Sequence, residues 1–151
     1  MSTNIRVMRC SPEDVFRVLD DGWLFVGWVV GASRMRDVDA AWPAEGSQLR
    51  HSFGVWPAVI NDATTVLEYD SPRRMVVQPK GWPLGEARVG IDVRPHRKGC
   101  IVRIQEEVVT GPAKLVPLPV MNVALHIRNL ETLRRLSYIA ERRNEGEHNE
   151  G

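Results

Sequence analysis

An α+β fold, with one antiparallel sheet of consecutive strands, two short helices after the first strand and a long C-terminal helix, is what the order of local patterns in this chain predicts. Three observations carry that reading. The segment "SPEDVFRVLDD" has the signature of a helix start and follows one short strand; six strand-like pieces separated by turn residues come next; and a helical pattern runs from about Val120 to Arg143. Consecutive strands joined by short turns pair antiparallel, because parallel pairing would need a crossover element between them.

The elements follow in order. "NIRVMRC" reads as a short strand. Ser11 then stands as N-cap, Pro12 occupies the first helical position, and Glu13 and Asp14 lie near the positive end of the helix dipole, so a helix should run to about Asp20. In "WLFVGWVVG" periodicity alone does not separate a short helix from a buried strand. The stretch follows Asp21-Gly22, and a second short helix closing at Gly31 is the favoured reading. The strand candidates are "SRMRDVD", "QLRHSFGVW", "ATTVLEYD", "RRMVVQP", "EARVGIDVRP" and "CIVRIQEEVVT", parted by Pro, Gly, Asn-Asp and Ser-Pro signals. "GPAKLVPLP" forms a rigid loop before the final helix, and "NEGEHNEG" reads as a polar tail without order. The chain is therefore expected to be a single domain over residues 1–143 with a tail at 144–151.

Composition narrows the function. The 151 residues suffice for one domain with a core or a modest cavity. Twenty basic against nineteen acidic side chains leave almost no net field, which argues against a phosphate-driven nucleic-acid partner. No apolar run approaches membrane-spanning length and no export signal opens the chain, so the expected location is the cytoplasm, with no stable membrane insertion. Cys10 and Cys100 stand far apart in sequence without a CxxC partner, and are expected as buried or edge thiols. No cofactor or metal is indicated.

Strand alternation sorts the faces. Leu49, His51, Phe53 and Val55 form one row of their strand, and Ala87, Val89, Ile91 and Val93 another. In the last strand the apolar row is Val102, Ile104, Glu106 and Val108, which sets a carboxylate among aliphatics. On the final helix, 100° steps place Val123, His126, Ile127, Leu130 and Ser137 on the side expected to be buried, with Arg128, Glu131, Arg135 and Arg142 roughly opposite. That basic face, extended by Arg134 and Arg143, reads as a solvated surface laced by Glu131 and Glu141, with docking to an acidic protein or membrane surface as the other reading.

Strand, two helices, a run of antiparallel strands and a long last helix, with "WPAEGSQLRHSFG" and "RIQEEVVTGP" in these places, resemble the SRPBCC superfamily. This is the helix-grip group that includes START lipid-transfer domains, birch-pollen-allergen-like proteins and polyketide cyclase/dehydrase-like bacterial proteins. The resemblance implies a curved antiparallel sheet wrapped around the C-terminal helix. It also implies a cavity between them that takes a hydrophobic small molecule. No catalytic residue carries over, since the shared pattern is one of organisation.

Three Trp-Pro dipeptides, at Trp42, Trp56 and Trp82, should end strands or open turns. In a meander the corners at Trp56 and Trp82 share one end with "GPAKLVPLP", where the resemblance puts the cavity mouth, so these two rings are candidate gates and Trp42 a structural plug. The competing reading makes all three rings caps on the sheet's apolar edges.

The expected ligand-binding set is His51, Phe53, Trp56, Trp82, Val89, Ile91, Ile104, Glu106, Val123, His126, Ile127 and Leu130. His51, Glu106 and His126 are its polar members. Converging in a dry cavity they would serve as acid and base, or orient a ligand's oxygen; otherwise they are satisfied interior groups. Two histidines and a glutamate on three separate elements lack metal-site spacing. Three functions stay open, in this order: a carrier or sensor of a lipid- or polyketide-like molecule, a cyclase or dehydratase using the same cavity, and an interaction module with a vestigial cavity. The protein partner such a module would need is not named by the sequence.

Overall fold

The computed structural model describes residues 2–54, 57–80 and 85–149, with side chains of the final helix through Arg142. Seven strands form one antiparallel sheet: β1 (Ser2–Met8), β2 (Ala32–Val38), β3 (Gln48–Phe53), β4 (Ile60–Asp70), β5 (Arg74–Pro79), β6 (Ala87–His96) and β7 (Gly99–Val108). Their order is β1-β7-β6-β5-β4-β3-β2. The expected meander is therefore present from β2 to β7, and the first strand closes it by pairing with the last, from Ser2 opposite Glu106 to Met8 opposite Cys100.

Local chemistry builds the helices where expected. α1 (Pro12–Asp20) starts in a reciprocal capping box, in which Asp14 N–H donates to Ser11 Oγ at 3.1 Å and Ser11 N–H to Asp14 Oδ2 at 3.0 Å. A single 3-10 turn, Gly22–Leu24, then runs into α2 (Phe25–Trp28). α2 stops at Trp28, short of the expected close at Gly31, which stands in the following turn at φ 99°, a left-handed conformation, with its open face against the Phe53 ring. The last helix, α3 (Leu118–Asn149), continues past Arg143 into the segment that composition sets apart as a tail. It packs on β1, α1 and α2 and closes the concave side of the sheet, giving the helix-grip arrangement.

The core lies between these layers. Ile91 opposite Ile104 and Val93 opposite Val102 face inward from β6 and β7, with Leu49, Val66, Met75 and Val77 from β3 to β5 and Val15, Phe16 and Leu19 from α1. Trp42 is half-buried against this core, and its Nε1 donates to the Leu19 carbonyl at 3.2 Å.

The face of α3 differs from the expected one. Val123, Ile127 and Leu130 are 60%, 64% and 49% exposed, and His126 is exposed as well. The buried row is Asn129, Thr132, Leu133, Leu136, Ser137 and Ala140. Leu133, Leu136 and Ala140 sink into the common core, and that packing sets the rotation of the whole helix. The apolar residues of its first turns are carried outward, and Arg128, expected on the outer side, turns inward.

Candidate functional site

A small chamber of about 30 Å³ remains between sheet and helix, room for about one water molecule. Phe25 and Trp28 wall it from α2 and Val29 from just past that helix, Phe53, Val77, Pro79, Val89 and Ile104 from the sheet, and its polar members are Thr64, Glu106, Arg128, Asn129 and Thr132. Phe25 and Trp28 meet edge to face at 5.4 Å between ring centroids, a stiff apolar wall.

Glu106 is the centre of its chemistry. Alternation along β7 points it inward between Ser2 and Val89, and it is only 2% exposed. Arg128 Nη1 donates to Glu106 Oε1 at 2.7 Å and Asn129 Nδ2 to Oε2 at 2.9 Å, so both carboxylate oxygens are engaged. The guanidinium is partly exposed, donates through Nε to the Val30 carbonyl at 3.2 Å, and lies 6.0 Å from the Phe53 ring centroid. Thr132 Oγ1 accepts from Val30 N–H at 3.4 Å. These bonds tie the end of α2 to α3 and place a charged cluster at the edge of an apolar space.

His51 is fully buried behind that wall, its ring between Phe25 and Phe53 at centroid distances of 4.9 and 5.1 Å. Nε2 is bonded to Thr64 Oγ1 at 2.9 Å, and Nδ1 has no partner among the described residues. Burial pushes its pKa down to about 4, outweighing the opposite pull of Asp62, while Arg36 adds to the depression. The ring is neutral at pH 7.

The expected triad of His51, Glu106 and His126 is not assembled through hydrogen bonds. His51 bonds to Thr64, Glu106 to Arg128 and Asn129, and His126 receives Asn4 Nδ2 at Nδ1 (3.0 Å) and at its carbonyl (3.1 Å) on the β1 side of the helix. Of the expected set, Phe53, Val89, Ile104 and Glu106 wall the chamber, His51 stands directly behind it, and Ile91 belongs to the core. Val123, His126, Ile127 and Leu130 do not line it. Trp56 and Trp82, and with them the gate, lie outside the described residues, as does Val55. The α2 aromatics, Thr64, Arg128 and Asn129 escaped the sequence reading; the helical 129-132-133-136 spacing was the available signal for the true face of α3.

A larger depression, about 490 Å³, lies on the outer face of the sheet around Gly90, among Glu68, Arg74, Arg88 and Glu107. Arg74 is already paired there with Glu68 and Asp92, so this is a charged, wet surface.

No protein-family model matches the chain, and no curated protein does. Solved structures do. Protein NE0264 from Nitrosomonas europaea matches at a TM-score of 0.73 and 15% identity over 95% of both chains. CV1439 from Chromobacterium violaceum matches at 0.70 and 18% identity, over 92% of this chain and 96% of that one. StfQ, a di-domain ARO/CYC from the steffimycin biosynthetic pathway, matches at 0.72 and 12% identity over 95% of this chain, which spans 51% of StfQ. At these identities the likeness shows the fold alone, a helix-grip domain.

Proposed function

We propose that the protein is a cytoplasmic carrier or sensor that binds a hydrophobic, polyketide- or lipid-like small molecule carrying an oxygen function in the chamber between sheet and α3. The observation that carries this reading is the Glu106–Arg128–Asn129 cluster facing an apolar chamber. Burying a charge is costly, and an apolar substitute of similar volume would often be neutral or stabilising, so a purely structural core gains little from the cluster. A ligand oxygen near it would find donors already oriented. The ARO/CYC neighbours favour the same class of occupant. With about 30 Å³ of space, binding requires the chamber to enlarge; Arg128, partly exposed and bridging two elements, is the wall most easily moved.

A cyclase is the second reading, favoured by the same neighbours. It is ranked lower because Glu106 shares no hydrogen bond with His51 or His126, so no acid–base pair is assembled at the chamber.

Native mass spectrometry of protein purified from its own host tests for a co-purifying molecule, and titration with 1-anilinonaphthalene-8-sulfonate tests the chamber directly. One probe per chain is expected, with affinity reduced at least tenfold in Thr132→Met, which fills the space, while the circular dichroism spectrum stays unchanged. Absence of both a co-purifying molecule and probe binding would sink the proposal. Glu106→Gln separates the roles: a carrier keeps much of its affinity for a neutral ligand, whereas an enzyme relying on this base loses turnover by about 10²–10⁴-fold.

A further inference from the structure

The first half of α3 carries an apolar stripe that no other part of the described chain covers. Val120, Val123, Ile127 and Leu130 are 59%, 60%, 64% and 49% exposed. Their spacing of three, four and three residues places them within a sector of roughly 80° at 100° per residue. Single exposed aliphatics are ordinary; four in this register are the seam that another helix fills, with β-branched Val120 and Ile127 at one position of the repeat and Val123 and Leu130 at the other. A bilayer surface would instead call for a polar face rich in Lys and Arg beside the stripe.

The next position in the register is Arg134, paired with Glu131 at 2.9 Å. Two copies packed parallel would set this guanidinium against its own image on the seam. Antiparallel packing avoids the conflict: Val123 meets the partner's Ile127, Val120 meets the partner's Leu130, and Arg134 is carried past the start of the partner's helix, to the turn where Leu115 is 88% exposed. Side chains of this kind hide on the order of 100 Å² each, so the contact covers a few hundred Å² per protomer. Doubled, it approaches the roughly 1,000 Å² at the lower limit of a specific interface. From the register, the repulsion at Arg134 and this area, we infer that the chain forms a weak two-fold dimer through antiparallel α3 helices, leaving the chamber side of each helix untouched.

Sedimentation velocity from about 1 to 200 µM tests this. A concentration-dependent shift to a dimer is expected, and Ile127→Glu should move its midpoint at least tenfold upward while leaving thermal unfolding at the lowest concentration unchanged. Mild oxidation of a mixture of Val123→Cys and Ile127→Cys chains should give mixed cross-links in excess of either self-pair; Cys10 and Cys100, both buried, should not interfere. A monomer throughout, a dimer indifferent to Ile127→Glu, or a preference for self-pairs would overturn the inference. So would Ile127-dependent co-sedimentation with phosphatidylglycerol vesicles in place of self-association.

Discussion

At the scale of single residues, the interior is governed by two polar groups that meet different fates. His51 loses its proton to burial; Glu106 keeps two donors. The folded pKa of His51, about 4, lies below its ordinary 6.5, so the unfolded chain binds more protons between those values. Stability from this residue is therefore full above about pH 6.5 and lost as pH falls towards 4, by roughly 3 kcal/mol in all. Urea unfolding at pH 7 and pH 4.5 should show that loss in the wild type and a much smaller one in His51→Gln. Around Glu106 the expected asymmetry is one of partners: Arg128→Ala leaves the carboxylate short of its cation and should cost on the order of 3 kcal/mol, more than Glu106→Gln, whose one amide oxygen still accepts from Arg128 while Asn129 turns its own oxygen to the new NH2. Equal midpoints for the two variants would show that the pair is not what secures this region. Glu106 was legible because a strand's period of two leaves no choice of face once its neighbours are apolar. Arg128 was not, because a long cationic side chain is read as surface unless its partner is known.

At the scale of elements, α1 was legible through its cap, the strands through alternation and turn residues, and α3 in existence but not in rotation. An apolar stripe and a buried stripe coincide on most amphipathic helices. Here they diverge, since Asn129, Thr132 and Ser137 share the buried row with Leu133, Leu136 and Ala140. Leu136→Ala should accordingly cost about 2–5 kcal/mol in denaturant unfolding, whereas Leu130→Ala, measured at low concentration, should stay within about 0.5 kcal/mol. The reverse order would restore the face that hydrophobicity alone suggests. The β6–β7 turn offers a separate check. Gly99 sits at φ 142°, and a Cβ there would approach the Met8 carbonyl oxygen to 2.5 Å. Gly99→Ala should thus lower the melting temperature by several degrees through the contact with β1.

For the molecule as a whole, the layered plan followed from element order, but two features did not: the closing of the sheet by β1 on β7, and the near-filling of the space beneath α3. Sequence patterns report which face of a strand is dry, not which distant strand it will lie beside, nor whether opposing side chains meet in the middle. The pairing implies that removing residues 1–9 does more than trim an end. Asn4 and Met8 are buried, β7 loses its neighbour from Cys100 to Glu106, and the truncated chain should lack a cooperative unfolding transition. Retention of one would mean the remaining six strands and α3 suffice.

That pairing has a consequence for how the protein is made in the cell. Met8 leaves the ribosome about ninety residues before Cys100, the residue it will face. At ordinary elongation rates the interval is roughly 5–20 s. For that time the first strand is held without its partner, with Ile5 and Val7 at hand for any other edge in a crowded polysome. β1 thus waits until all the other strands of the sheet have been made, and translation speed through them sets how long chaperones must shield it.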